Sequence, residues 1–257
     1  AACASEKEID WGDDVVSLST DLDAAKGLVD ESIVSTLIDL DADAAVVAFS
    51  DPSGDYFRKK LLPTYKENRK STRKPLGMKE IRDYITENYK TYVRPGLEGD
   101  DVLGILATHP TLIKGEKIVV SIDKDFGTIP CLWSKGGKEI TEVSESEADH
   151  AHMVQTLTGD VVDNYKGCPV VGKGKAETIL AAPQKLVREE YTKKGELAYR
   201  WLKGEPCSTW EAIVCQFRKA GLDEDEALLQ ACMARILRAS DYNFKTKEPI
   251  LWTPPTN

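Results

Sequence analysis

The sequence predicts an α/β protein, a mostly parallel sheet core followed by a helical C-terminal subdomain, and three observations lead there. Two apolar runs of strand length, Ala44 to Phe49 and Lys117 to Ile122, are each followed by carboxylates. Segments with apolar residues at helical spacing lie between and before them. From about residue 158 the strand-like runs stop and helical patterning continues. Strands alternating with helices require right-handed crossovers, which build a parallel sheet covered on both faces and gather sites beyond the strands' carboxyl ends. With 257 residues the chain can bury one substantial core and carry a smaller subdomain beside it.

The first periodic segment is 21–40, with Leu22, Ala25, Leu28, Val29, Ile33, Leu37 and Leu40 at near-helical intervals and acids at its start. The apolar run to Phe49 reads as a buried strand, stopped by the turn residues Ser50-Asp-Pro-Ser-Gly54. A basic stretch follows, punctuated by Pro63 and Pro75. Residues 78–89 read as a helix and 91–93 as a short strand. Glu98-Gly-Asp-Asp101 opens a further helix, with acids in its first turn where they complement the helix dipole. The second buried strand, 117–122, leads into Asp123-Lys-Asp125. Beyond Thr158-Gly-Asp-Val-Val-Asp-Asn164 comes a Gly-rich turn, then helices expected at 175–182, 184–193, 208–220 and 223–239, with 191–206 as a surface excursion.

The formal charge of −9 argues against a nucleic-acid partner only on average. From Arg58 to Lys74 there are eight basic residues against one acid, so that stretch is +7 and the remainder −16. Such segregation suits a cationic clamp above an acidic metal site. The six cysteines have no paired spacing or matching histidines and read as reduced thiols. No apolar run approaches a membrane span and no leader is evident, so the expectation is a cytoplasmic monomer.

Eight carboxylates recur at strand ends and connections: Asp51, Glu98, Asp100, Asp101, Asp123, Asp125, Asp160 and Asp163. Taken singly, each motif suits a helix cap or a turn. Converging on one edge, they would repel one another unless cations were bound, and oxygen-only ligation suits Mg²⁺ or Mn²⁺. Two such ions can activate water and stabilise a leaving oxygen in phosphodiester hydrolysis. Asp123-Lys-Asp125-Phe-Gly127 is not a calcium loop, because Ser134 stands where the terminal Glu is needed. Gly167-Cys-Pro-Val-Val-Gly172-Lys173-Gly174 fails as a nucleotide-binding loop, since Gly174 replaces the Mg²⁺-binding hydroxyl. A hairpin whose backbone N–H groups hold a DNA phosphate, with Lys166, Lys173 and Lys175 nearby, fits better. Tyr56, Phe57 and Tyr65 lie among the cations, where rings can stack on unpaired bases or be buried under the sheet.

The order Asp51, Phe57-Arg58, Pro63-Thr-Tyr-Lys-Glu-Asn-Arg69, Glu98-Gly-Asp-Asp101, Asp123-Lys-Asp125, Gly159-Asp-Val-Val-Asp-Asn164 and Gly167 to Gly174 resembles the 5′-to-3′ exonuclease and flap endonuclease family. The ending Met233-Ala-Arg-Ile-Leu-Arg238, Tyr242-Asn-Phe244 and Leu251-Trp252 is similar to its branch in short-tailed lytic bacteriophages. The resemblance implies a PIN-like nuclease core over 1–157 with a basic arch at about 58–75. It further implies a helical DNA-binding subdomain over 158–257, with a helix-three-turn-helix at about 160–182 that can hold K⁺. By motif, all eight carboxylates become ligands of two Mg²⁺ or Mn²⁺ ions. Lys66 and Arg69 become electrostatic stabilisers at the scissile phosphate beside Asp101 and Asp123. Arg58, Tyr65, Lys66, Arg69, Lys70, Arg73, Lys166, Gly172, Lys173, Gly174 and Lys175 become DNA contacts. The implied activity is hydrolysis of DNA at 5′ ends, flaps or branches in phage replication. The alternatives are a non-cleaving branched-DNA-binding protein and a related ribonuclease. The resemblance also implies that Ala1 lies in the tail of a first helix, with an upstream strand and its acid missing.

Overall fold

Short parallel pairings carry the acidic connections to one region. The structure, a computed structural model, describes residues 1–69, 73–193 and 196–255. The elements run β1 (Glu6–Asp10), β2 (Val16–Thr20), α1 (Leu22–Asp39), β3 (Val46–Phe49), α2 (Phe57–Leu61), α3 (Met78–Asn88) and β4 (Lys90–Val93). They continue with α4 (Gly99–Thr108), β5 (Ile118–Val120), β6 (Cys131–Ser134), β7 (Ile140–Val143), α5 (Glu145–Thr158) and α6 (Lys173–Ala181). The chain then forms β8 (Gln184–Lys193), β9 (Glu196–Pro206), α7 (Thr209–Lys219), α8 (Glu224–Ala234), β10 (Tyr242–Asn243) and β11 (Glu248–Pro249).

β3 pairs parallel with β4, β5 pairs parallel with β6, and β7 closes on β6 antiparallel. The α/β character therefore stands, but the single parallel sheet expected from the sequence is divided into a two-stranded and a three-stranded piece. Apolar residues from α4 and from the segment after α8 join the two. Val102, Ile105 and Leu106 pack with Phe57, Leu97, Leu237 and Tyr242, while Val119, Phe126 and Ile129 pack with Ile236. Gly104 permits this approach, since a Cβ there would overlap the Leu237 carbonyl. A further core, Leu157 with Cys168, Val171, Leu180, Ile213 and Phe217, unites α5 to α7.

Four expectations need correction. Residues 184–193 are strand β8, paired antiparallel with β9 over a long ribbon, and not a helix. Val187, Tyr191 and Thr192 favour extended backbone, and Pro183 precedes them. Strands accordingly do not stop at residue 158. α8 ends at Ala234 rather than 239, because the following chain turns extended at Arg235 and its backbone is held by buried partners, with Leu237 N–H donating to Asp101. Residues 1–6 are not a helix tail: a 3-10 turn at Cys3–Ser5 leads into the β1–β2 hairpin. The stretch 131–158, to which no element had been assigned, forms β6, β7 and α5, the last opened by a Ser144–Glu147 capping box.

Candidate metal and phosphate site

A cavity of about 200 Å³ opens where the N-terminus of α4, the turn after β5, α5 and the loop 160–165 meet. Glu98 is the N-cap of α4 and Asp100 sits in its first turn, both facing the cavity. Asp123 caps the 3-10 turn Lys124–Thr128 by accepting from Asp125 N–H, which brings both carboxylates to the wall. Asp160 accepts from Val162 and Asp163 N–H, tightening the loop that presents Asp160 and Asp163 opposite them. This loop is fixed at its base by Gly159 and Gly167, both at positive φ, whose backbones touch so closely that a Cβ on either would overlap the other.

The cavity has two electrostatic halves. On one side Lys66 pairs with Glu98, and with Asp163 at 3.4 Å, while Arg69 pairs with Asp163 at 2.6 Å. Burial favours the neutral acid of Glu98, but Arg58 and Lys66 hold its carboxyl below the ordinary value. On the other side lie Asp100, Asp123, Asp125 and Asp160, where Lys124 stands 3.7 Å from Asp160 and Lys66 acts on Asp100 from across the cavity. There burial, reinforced by Asp123, Asp101 and Glu98, pushes Asp100 up to about 6. Burial and Asp123 likewise raise Asp125, although the Gln155 side chain bonds to it.

An oxygen-only donor set with uncompensated negative charge fits hard divalent cations. Among the described residues, however, no three His, Cys, Asp or Glu side chains converge as a finished metal cage. The donor chemistry fits, and the walls would have to close around an ion.

Several expected site residues lie elsewhere. Asp101 is fully buried, with both oxygens occupied by the Arg58 guanidinium at 2.7 and 2.8 Å and by Leu237 N–H. It does not line the cavity, which corrects its reading as a metal-binding and catalytic acid. Asp51 accepts from Ser53 and Gly96 N–H and closes a turn outside the cavity, so its reading as a ligand is corrected too. Arg58 is no free DNA contact: it is buried, paired with Asp101 and Glu98, and donates to the Met233 and Arg235 carbonyls. Tyr65 is also buried, its hydroxyl donating to Glu98 or Asp163, each at 2.9 Å, so its ring offers no stacking face.

Arg73 is exposed and forms a two-pronged pair with Glu6. Lys70 lies outside the described residues. Lys166, Gly172, Lys173, Gly174 and Lys175 are exposed around the turn into α6, with Lys175 donating to the Val170 carbonyl. They form a surface separate from the cavity lining. Sequence reasoning missed Gln155, Lys124 and Tyr165, which line the cavity. Recognising α5 from its Ser144–Glu147 signature would have put Gln155 on a helix beside the acids.

The sequence model of the family described as 5′-3′ exonuclease, N-terminal resolvase-like domain, matches residues 16–156, more than half of the chain. The chain belongs to the 5′-3′ exonuclease family. It is 36% identical to the exodeoxyribonuclease of Enterobacteria phage T3 and 37% identical to the exonuclease of Escherichia phage T7, in each case over 99% of this chain and 89% of the relative. The flap endonuclease Xni of Shewanella pealeana is 31% identical over 48% of this chain and 53% of its own length. A solved mutant of the T5 5′-exonuclease shares the fold at TM-score 0.52 and 12% identity, covering 84% of this chain and 81% of that one. The chain is thus a nuclease of the 5′-3′ exonuclease type. None of its described helices is long and apolar enough to cross a membrane.

Proposed function

We propose that this exonuclease hydrolyses DNA phosphodiesters at 5′ ends and 5′ flaps with two Mg²⁺ ions, Mn²⁺ serving in their place. The observation that carries the reading is the division of one cavity into a half whose acids are paired with Lys66 and Arg69 and a half in which four aspartates outnumber the single Lys124. Asp100, Asp123, Asp125 and Asp160 would hold the ions, with Glu98 and Asp163 reached across the cavity. Bound there, the ions would supply a water acidic enough to attack and a counter-charge for the leaving oxygen. Lys66 and Arg69, now paired with Glu98 and Asp163, would turn to the scissile phosphate and stabilise its added charge. Gln155 would hold Asp125 in orientation.

In the same reading, residues 1–157 form the nuclease core and 158–257 the DNA-binding part, although the segment carrying Ile236, Leu237 and Tyr242 returns to the core. The turn 167–174, with Lys166, Lys173 and Lys175 beside it, would grip the duplex backbone and hold K⁺ on its carbonyls. A PIN-like core, a monomeric state and a setting in the cytoplasm of a phage-infected bacterium belong to this proposal. RNA is the competing substrate, and competition between labelled DNA and unlabelled RNA flaps decides between them.

The decisive experiment is Asp123→Asn in the full chain. Cleavage of a 5′-labelled flap in Mg²⁺ should fall by at least ~10², while binding of the same DNA without divalent ions stays near wild type. Cleavage within a few-fold of wild type would refute the assignment.

A further inference from the structure

The β8–β9 ribbon has no part in the cavity, and it lies beyond the segment that the family model matches. Its register sorts side chains onto two faces. Leu186, Arg188, Glu190 and Thr192 share one with their cross-strand partners Lys203, Trp201, Tyr199 and Leu197. On the other face Arg200 is paired with Glu189. On the first, neither Arg188 nor Lys203 has an ion-pair partner among the described residues, and the Arg188 guanidinium lies 3.6 Å from the centroid of the Tyr199 ring. Trp201 is directly opposite Arg188 and half-buried, while Tyr199 and Leu197 are exposed.

An isolated two-stranded ribbon is marginal in water, and one that displays rings and aliphatic groups carries an added hydration cost. This face therefore combines flat rings, a guanidinium plane stacked on one of them, and two cations that form no ion pair among the described residues, with Glu190 as the one acid among the eight residues named on it. That is the chemistry that holds single-stranded nucleic acid: bases stack on the planes and phosphates meet the cations. A duplex hides its base faces and would gain only the phosphate contacts. We infer that the β8–β9 face bearing Arg188, Tyr199, Trp201 and Lys203 is a binding platform for single-stranded DNA, an inference that rests on the DNA reading above.

The test uses the full chain without divalent ions, and measures anisotropy of a labelled oligothymidylate and of a blunt duplex of equal length. Tyr199→Ala should weaken oligothymidylate binding about 5- to 100-fold and change duplex binding by less than about twofold, because stacking is lost and phosphate contacts are kept. Tyr199→Phe, which keeps the ring, should bind like wild type. Should Tyr199→Ala lose its fold, seen as a changed circular dichroism spectrum, Arg188→Glu reads the same face. Unchanged oligothymidylate binding in a folded variant, or equal loss for both probes, overturns the platform. So does a wild-type dimer in sedimentation that Tyr199→Ala dissociates, since the face would then pair with a second copy. If wild type cuts and binds DNA while the variants match it, only the platform fails. If wild type binds neither probe, the DNA reading fails and takes the platform with it.

Discussion

Arg58 supplies five hydrogen bonds inside the protein, three to the carboxylates of Asp101 and Glu98 and two to the main-chain carbonyls of Met233 and Arg235 at the end of α8. A guanidinium so satisfied is a structural tie: it neutralises a buried acid and fastens the C-terminal segment to α4. Removing one partner of a buried pair leaves the other charge uncompensated, at a cost of about 3–5 kcal/mol. Arg58→Ala should therefore lower unfolding free energy in urea by about that amount, and Arg58→Met combined with Asp101→Leu should be milder than either single change. A loss below about 1 kcal/mol, with impaired DNA binding, would restore Arg58 to the DNA surface. The sequence displayed Glu98-Gly-Asp-Asp101 as an acidic motif but not which carboxylates serve the cavity. Neighbouring helical residues point about 100° apart, so Asp100 faces the cavity while Asp101 faces Arg58 and Leu237. That distinction depends on partners 43 and 136 residues away in sequence, which no local pattern contains.

At the scale of elements, legibility followed the range of the forces involved. β3 and β5 were readable because each is a short apolar run and β4 because Thr91, Tyr92 and Val93 favour extended backbone, and the acids after β5 were readable because a turn must follow a buried strand. α6 and α7 were found within two residues of their ends from helical spacing alone. The end of α8 was not, since helical patterning persists through 239 while the Arg58 contacts and the Leu237 pocket draw the chain out. The ribbon was missed because its apolar residues lie on both faces and its exposed charges mimic a solvated helix.

The turn into α6 is the element on which a DNA grip can be tested apart from chemistry. Lys173 is exposed at the first position of α6, where backbone N–H groups also point outward. Lys173→Glu should weaken duplex binding and reduce the slope of log K against log salt by about one, with single-turnover cleavage of saturating DNA retained. An unchanged slope would move the duplex to another surface.

The whole molecule is closed by a buried junction of α5, α8 and the C-terminal segment, with His152 at its centre. The His152 Nε2–H donates to the Ala231 carbonyl at 2.9 Å, and the ring stands edge-on to Trp252. Arg235 and Arg238 are buried nearby, the first tied to Asp241 and the second to Asp149 and the Thr128 carbonyl. Burial, aided by these two arginines, lowers the imidazole pKa from 6.5 to about 4, although the bond to Ala231 and the Asp149 charge act the other way. The folded state therefore keeps His152 neutral at pH values where the unfolded chain is already protonated. The unfolded state binds more protons between these values, so stability rises with pH across that window. The contribution is complete above about 6.5 and is lost as pH falls towards about 4, on the order of 3 kcal/mol in total. Carboxylates titrate in the same range, and a variant separates them from the imidazole. His152→Gln can keep a donor for Ala231 but cannot be protonated. The unfolding free energy of wild type relative to His152→Gln, followed by urea titration from pH 7 to pH 4, should fall steadily over this interval. A difference that stays constant with pH would show that His152 is charged in the folded protein, and that the junction tolerates a third cation beside Arg235 and Arg238.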